Sequence, residues 1–238
     1  MQTSVACIQF CPQLGKAQPN LDRIELLLRE ASSNQASLVI LPEMCINGYL
    51  HPSQSAVKPF VEESQGKTAR FLGDLCQELG LYLVYGFAEI LDGQYYNSQN
   101  LLSPRGEVIG TYQKQHLFTA DLPWATPGPG PYLSISTELG KIGLGICMDL
   151  NFVDLPYFHQ CQGTDILALS MHWLEEGLDV KSYWIQRLLG FSGMSVIANS
   201  YGKSGGIEFC GRSSMITEGQ ILCSAAARGE QIIYQSLG

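Results

Sequence analysis

The stretch Ser-Leu-Val-Ile-Leu-Pro-Glu at 37–43 is nearly continuously apolar until it stops at a proline and an acid. It is too short for a stable helix, and a half-exposed strand would alternate polar with apolar side chains. A short continuous run instead fits a strand covered on both faces, as in layered α/β proteins. Comparable runs recur at Val5 to Phe10, Leu81 to Ile90, 142–148, 165–170 and 195–200. Helical patterns lie between them. Leu21, Ile24, Leu27 and Leu28 share one helical face, with Asn20 as the expected N-cap. Further helices are expected over Thr68 to Leu79, closed by Gly80, and near 155–160 and 180–189.

Asp92-Gly93 and Pro104-Arg105-Gly106 supply turn chemistry between strand candidates at 81–90, 94–103 and 107–114. A strand at 132–137 precedes the run 142–148, and a hairpin around Glu218-Gly219 precedes a last strand at 231–236. There is no internal repeat, low-complexity tract or linker. The expectation is one α/β domain over residues 1–238, with helices on the outer faces of its sheets.

A chain with 45% hydrophobic and 15% charged residues can build a full core. Its net charge of −8 argues against nucleic acid and anionic membrane surfaces as partners, since both call for a basic face. No apolar run approaches the roughly 18 residues that a membrane span needs. The opening MQTSVACIQF has no basic region or cleavage-like site, so a cytoplasmic location is expected. The 8 cysteines include no C-x-x-C pair, and most are expected to be reduced and structural.

Three reactive side chains fall at the ends of apolar runs. Glu43 ends SLVILPE, Lys114 ends EVIGTYQK and Cys147 ends IGLGICM. Open sheets carry their sites at such strand ends. Brought together, the three make a coherent nucleophilic set. The carboxylate takes the thiol proton, the thiolate attacks, and the ammonium lowers the thiol pKa and balances developing oxygen charge. Each residue alone has a plain structural reading, as a buried thiol, a paired carboxylate or a solvated strand end. It is the ordered trio that carries the chemistry.

LPEMCINGY (41–49), YQKQHLF (112–118) and GICMDLNF (145–152) resemble, in order and spacing, the three signature segments of the nitrilase, or carbon–nitrogen hydrolase, superfamily. The likeness runs through Val5 to Gln9, 165–172, Asn199 to Gly202 and Phe209 to Ser213, essentially the whole chain. It implies a four-layer αββα sandwich of the nitrilase type, and a homodimer or higher homo-oligomer. It also implies a Glu43, Lys114, Cys147 triad acting on a small-molecule amide or a chain-terminal carboxamide. Met148 would help hold the oxyanion through its backbone N–H, and no metal or organic cofactor is implied. The alternatives are a carbamoyl-amide hydrolase, a nitrilase, or a binding protein that keeps the fold without turnover.

The chain departs from that family in two places. Asp121 stands where many members have a second glutamate, one methylene longer. It is expected to reach Lys114 only through a water or a shifted loop, or else to cap a turn. Asn151 stands where an arginine often follows the cysteine. Tyr49, His172 and Trp173 are the candidate substrate contacts, with core packing as the other reading for the last two. Asp149 is expected to anchor the turn after the nucleophile, and His116 to bond locally. The glycine-rich 202–206 reads as a flexible rim loop, and no regular element is expected in 44–66, 118–131 or 172–180.

Overall fold

A computed structural model describes residues 3–237, so the expected domain limits 1 and 238 lie just outside the described residues. Its strands begin with β1 (Ser4–Gln9), β2 (Ala36–Ile40), β3 (Tyr82–Leu91), β4 (Gln94–Leu102) and β5 (Val108–Gln113). Then follow β6 (Leu133–Thr137), β7 (Gly140–Ile146), β8 (Ile166–Met171) and β9 (Met194–Asn199). The last are β10 (Tyr201–Ser204), β11 (Ile207–Cys210), β12 (Ser214–Thr217), β13 (Gln220–Ser224) and β14 (Gln231–Ser236). They form two six-stranded mixed sheets, ordered β14-β1-β2-β3-β4-β5 and β13-β12-β9-β8-β7-β6, plus the β10–β11 ribbon. The helices are α1 (Ala17–Ser33), α2 (Gln54–Val57), α3 (Lys67–Leu79), α4 (Asp154–Cys161) and α5 (Val180–Arg187).

Strand alternation assigns each face. Val5, Cys7, Leu38, Ile40, Tyr82 and Val84 pack into one core with β7, β8 and β9, between the sheets. Their neighbours Ala6, Ile8, Val39, Leu41, Leu83 and Tyr85 pack into a second core with Ile24 and Leu28 of α1 and Leu72 of α3. Because the side-chain period is two, a near-continuous apolar run feeds both cores at once. On the far side Leu155 of α4 and Val180 and Trp184 of α5 cover the second sheet. The layers are therefore helix, sheet, sheet, helix, the αββα sandwich expected.

Several local expectations are corrected. Asn20 does not cap α1, which begins at Ala17. Pro19 lacks an N–H and suits a first helical turn, so the helix starts ahead of it. Asn20 is buried instead, and its amide bonds Gln13 and donates to Ile46 O at 2.9 Å, tying two loops together. The 202–206 stretch is no loose rim. Gly202 to Ser204 lie in β10, paired with β11, and Gly205-Gly206 make the turn. Within 44–66, Ser53 caps the short helix α2 by accepting from the Ala56 N–H. The polarity of this segment concealed its capped turn.

Two sets of glycines bring elements closer than a side chain would allow. A Cβ on Gly143 would lie 2.4 Å from His159 Nδ1, and one on Gly145 3.1 Å from Leu155, so α4 sits directly on β7. On β3, a Cβ at Gly86 would meet Met44 N at 2.5 Å and Glu43 Cα at 2.8 Å. Those neighbours are backbone and cannot swing away. Gly86→Ala is expected to destabilise by about 1–3 kcal/mol and to displace the Glu43 turn. Urea unfolding and Cys147 alkylation rate, read together, check both effects.

Candidate active site

β2 ends at Ile40, and the chain turns through Leu41 and Pro42 to bring Glu43 under β3. Met44 follows with φ of +48°, a tight turn that Gly86 leaves room for. Lys114 comes directly after β5, held by its N–H to Asn97 O at 2.9 Å and its carbonyl from Gly128 N–H at 2.8 Å. Cys147 opens the 3-10 turn Cys147–Asn151 with φ of +43°, in the left-handed region that a residue with a Cβ enters at some cost. Asp149 anchors that turn as expected. It accepts from Ile146 N–H, Tyr112 O–H and His116 N–H. His116 adds its Nδ1 to the same carboxylate and stacks on Phe152.

Glu43, Lys114 and Asp121 are fully buried. Lys114 Nζ donates to Glu43 Oε1 at 2.7 Å and to Asp121 Oδ2 at 2.7 Å. Of the two routes expected for Asp121, a bridging water or a shifted loop, the direct contact needs no water. The loop carrying it folds back so that Phe118 N–H also donates to Asp121 Oδ2, at 2.9 Å, and the shorter side chain reaches directly. Asn97 completes the cluster, its Nδ2 donating to Glu43 Oε1 at 2.7 Å and Asp121 Oδ1 at 3.1 Å. Glu43 Oε2 accepts from no protein donor among the described residues. It is the oxygen left for a proton.

Sequence reasoning passed over Asn97. The signal was there: Asn97, Ser98, Gln99 and Asn100 are four successive polar residues inside a strand, and all are buried. Buried polar side chains need partners. Gln99 finds one across the sheets in Ser170 Oγ at 2.7 Å, and Ser170 in turn donates to Leu41 O at 2.7 Å.

The charges act on one another. Burial pushes the Glu43 carboxyl above its ordinary range, against the pull of Lys114. Lys114 is itself raised, because two carboxylates outweigh the cost of burying its charge. The Cys147 thiol lies well above its ordinary value, first through burial and then through Glu43. Lys114 pulls the other way, as expected, but does not prevail. The resting residue is a thiol beside a carboxylate.

Cys147 opens onto a cavity of about 320 Å³. Met148 and Asn151 border it on the nucleophile's side, Phe118 and Tyr183 line it, and His172 and Trp173 contribute wall. Asn199 holds that wall by accepting from Trp173 N–H at 2.8 Å, and β11 pairs with it through Cys210 N–H to Trp173 O at 2.9 Å. Tyr49 does not line the cavity. It stacks on His172 at 4.9 Å between centroids, with Lys114 Nζ 5.6 Å from its ring centre. Burial drops the His172 imidazole to about 3, so it is neutral. Three cations, Arg212, Lys203 and Arg187, are engaged elsewhere. Arg212 pairs with Glu175 at 2.6 Å, Lys203 with Glu208 at 3.7 Å, and Arg187 donates to Leu150 and Asn151 carbonyls.

A family model for carbon-nitrogen hydrolases matches residues 4–237, and the chain belongs to that family, within the nitrilase superfamily. It is 29% identical to the protein N-terminal amidase of Schizosaccharomyces pombe, over 88% of this chain and 89% of that protein. It is 30% identical to a nitrilase of Pyrococcus abyssi, over 96% of this chain and 87% of that one. The fold matches an amidase from Nesterenkonia sp. with a TM-score of 0.87 at 22% identity, covering 99% and 90% of the two chains. One structure of that amidase, a glutamate-to-glutamine variant, carries the acetamide moiety of fluoroacetamide on its active-site cysteine.

The acid limb of Cys147 reactivity follows from these shifts. A carboxylate whose pKa is raised takes up its proton sooner as pH falls, and a protonated Glu43 cannot accept the thiol proton. Iodoacetamide alkylation of Cys147 is expected to decline below a midpoint above 4.5. Glu43→Gln should be slow throughout and lack that limb. Stopped-time alkylation followed by mass spectrometry checks both.

Proposed function

We propose that this carbon–nitrogen hydrolase is an amidase, cleaving a carboxamide of a small molecule or chain terminus to acid and ammonia through a thioester on Cys147. The observation that carries the reading is the buried cluster in which Glu43 keeps one oxygen free while Lys114 bridges two carboxylates. The amidase names among its relatives favour amides over nitriles.

In the first step Glu43 accepts the Cys147 Sγ proton as the sulfur attacks the amide carbon. The carbonyl oxygen becomes an oxyanion. Lys114 has three N–H donors, and Glu43 and Asp121 take two, leaving the third for that oxygen. The Met148 N–H stands at the start of the 3-10 turn, where backbone donors lack partners within the turn, and supplies the second bond. Collapse breaks the C–N bond, Glu43 hands its proton to the departing nitrogen, and ammonia leaves a thioester. Glu43 then takes a proton from water, the hydroxyl oxygen adds to the thioester carbon, and the thiolate departs and recovers the proton. Asp121 and Asn97 touch no reacting atom and position Lys114 and Glu43. His172 and Trp173 shape the acyl pocket, and Tyr49 supports it from behind.

We read residues 1–238 as one such domain, acting in the cytoplasm, where its eight unpaired cysteines stay reduced. We also propose a homodimer. Val153 just before α4, Tyr157 within it and Leu189 after α5 are 69–75% exposed, and Tyr183 O–H and Arg187 tie α5 to Asn151, in the turn that precedes α4. An apolar face on neighbouring elements suits a self-complementary two-fold contact. It would also brace the turn that carries Cys147. Sedimentation at micromolar concentration is expected to give a dimer, and Val153→Glu with Tyr157→Glu a monomer.

Ammonia release over a panel of amides, carbamoyl compounds and nitriles tests the chemistry. Amides should be hydrolysed by the wild type and not by Cys147→Ala. Lys114→Ala should lose at least about 10²–10³-fold, the usual effect of removing one oxyanion donor, provided its circular dichroism shows a folded chain. Release from nitriles or carbamoyl compounds alone would replace the amide reading.

A further inference from the structure

We infer that the enzyme selects carboxamides carrying a protonated amine, recognised by Glu176 together with the aromatic pair Trp173 and Tyr183. This deepens the amidase reading and rests on it. The cavity beside Cys147 is lined by two acids, Glu175 and Glu176, and among the described residues by no lysine or arginine. The two acids are not equivalent. Glu175 is taken by Arg212 at 2.6 Å and accepts from Gly177 N–H, so that pair is close to neutral. The cations of the adjoining ribbon and loop, Lys203 and Arg228, pair with Glu208. Glu176, exposed in the cavity lining, has no ion-pair partner among the described residues. Lys114, the nearest buried cation to Cys147, is spent between two carboxylates.

Part of the same lining is aromatic. Trp173 and Tyr183 both line the cavity with ring centres 5.7 Å apart and planes tilted by 48°. Two ring faces and a carboxylate are what an ammonium group needs, through cation–π attraction and a charge-assisted hydrogen bond. His172, on the same wall, is neutral and adds no positive charge there. A carboxylate-bearing amide finds the opposite. It would leave water for a cavity whose lining holds no lysine or arginine among the described residues and carries a like charge, which is unfavourable. The neutral imidazole of His172 offers it no counter-charge either.

The test is a matched set hydrolysed by the intact enzyme: 4-aminobutanamide, pentanamide and glutaramate, which share a chain length and differ in the terminal group. A second pair, glutaminyl-alanine N-methylamide and its N-acetyl form, presents the amine as a peptide terminus. In at least one series kcat/KM is expected to be about ten-fold or more higher for the ammonium form than for the neutral one, with glutaramate slowest. The series with the larger ratio identifies a small aminoamide or a chain terminus as the source. Glu176→Gln should bring the ammonium-to-neutral ratio to within about two-fold of unity, and added salt should lower it in the wild type. Neutral amides hydrolysed as fast as ammonium forms, or a preference that survives Glu176→Gln, would overturn the inference while the amidase reading stands. No ammonia from any compound, with Cys147 also unreactive to iodoacetamide, would overturn the amidase reading and the inference with it.

Discussion

An ammonium held between two carboxylates, all three out of contact with water, is the constraint around which this molecule is built. Each ion gives up hydration worth several kcal/mol on burial, and mutual attraction offsets that only when every charged atom is well bonded. The cluster meets that condition except at its reacting edge, where Glu43 Oε2 and one Lys114 N–H have no protein partner among the described residues. Lys114 binds Glu43 and Asp121, and the amide of Asn97 donates to both carboxylates. The three charged groups come from three separate segments, so their satisfaction demands that β2, β4 and β5 and the loop after Lys114 be placed together. A glycine under the Glu43 turn and another against Gln113 O make the approach sterically possible.

The same cluster sets the resting state of the nucleophile. One cation shared by two anions leaves a net negative charge beside Cys147, and burial adds to it, so the thiol keeps its proton. This differs from thiol enzymes whose cysteine is a standing thiolate paired with an imidazolium. Here attack and deprotonation go together, with Glu43 as the acceptor. Burial that raises the carboxyl makes it a better base for that purpose, since its proton affinity is brought nearer to that of the groups it must serve.

Much of this could be read in the chain before any coordinates. The faces of the first sheet follow from Val5 to Ile8 and Leu38 to Leu41, because a strand buried on both sides leaves no polar alternation. Glu43, Lys114 and Cys147 stood out because reactive groups at the ends of apolar runs are rare for packing reasons. Asn97 did not, because an amide's importance lies in its partners, and those come from residues far along the chain. Asn20 was misread as a cap for the same reason. Its local sequence is that of a helix start, yet its hydrogen bonds go to Gln13 and Ile46. The reach of Asp121 depended on a loop path that no periodicity encodes.

Catalytic and selective parts of the cavity have different origins in the fold. The triad lies at strand ends held by the two sheets, where backbone pairing fixes position. The wall from His172 to Glu176 follows β8 but leaves the sheet, and is held by one asparagine and the edge of β11. From Trp173 onward its side chains share no hydrogen bond with Glu43, Lys114, Asp121 or Asn97 among the described residues. The buried charges are therefore fixed by their surroundings, while the proposed substrate wall is held by fewer bonds. Contact with the cluster is made at His172, the first residue of that wall, which lies against the Glu43 backbone and stacks on the Tyr49 ring that faces Lys114. A bulkier or charged residue at 172 would press on the cluster itself. Variation in specificity is more easily borne from Trp173 onward.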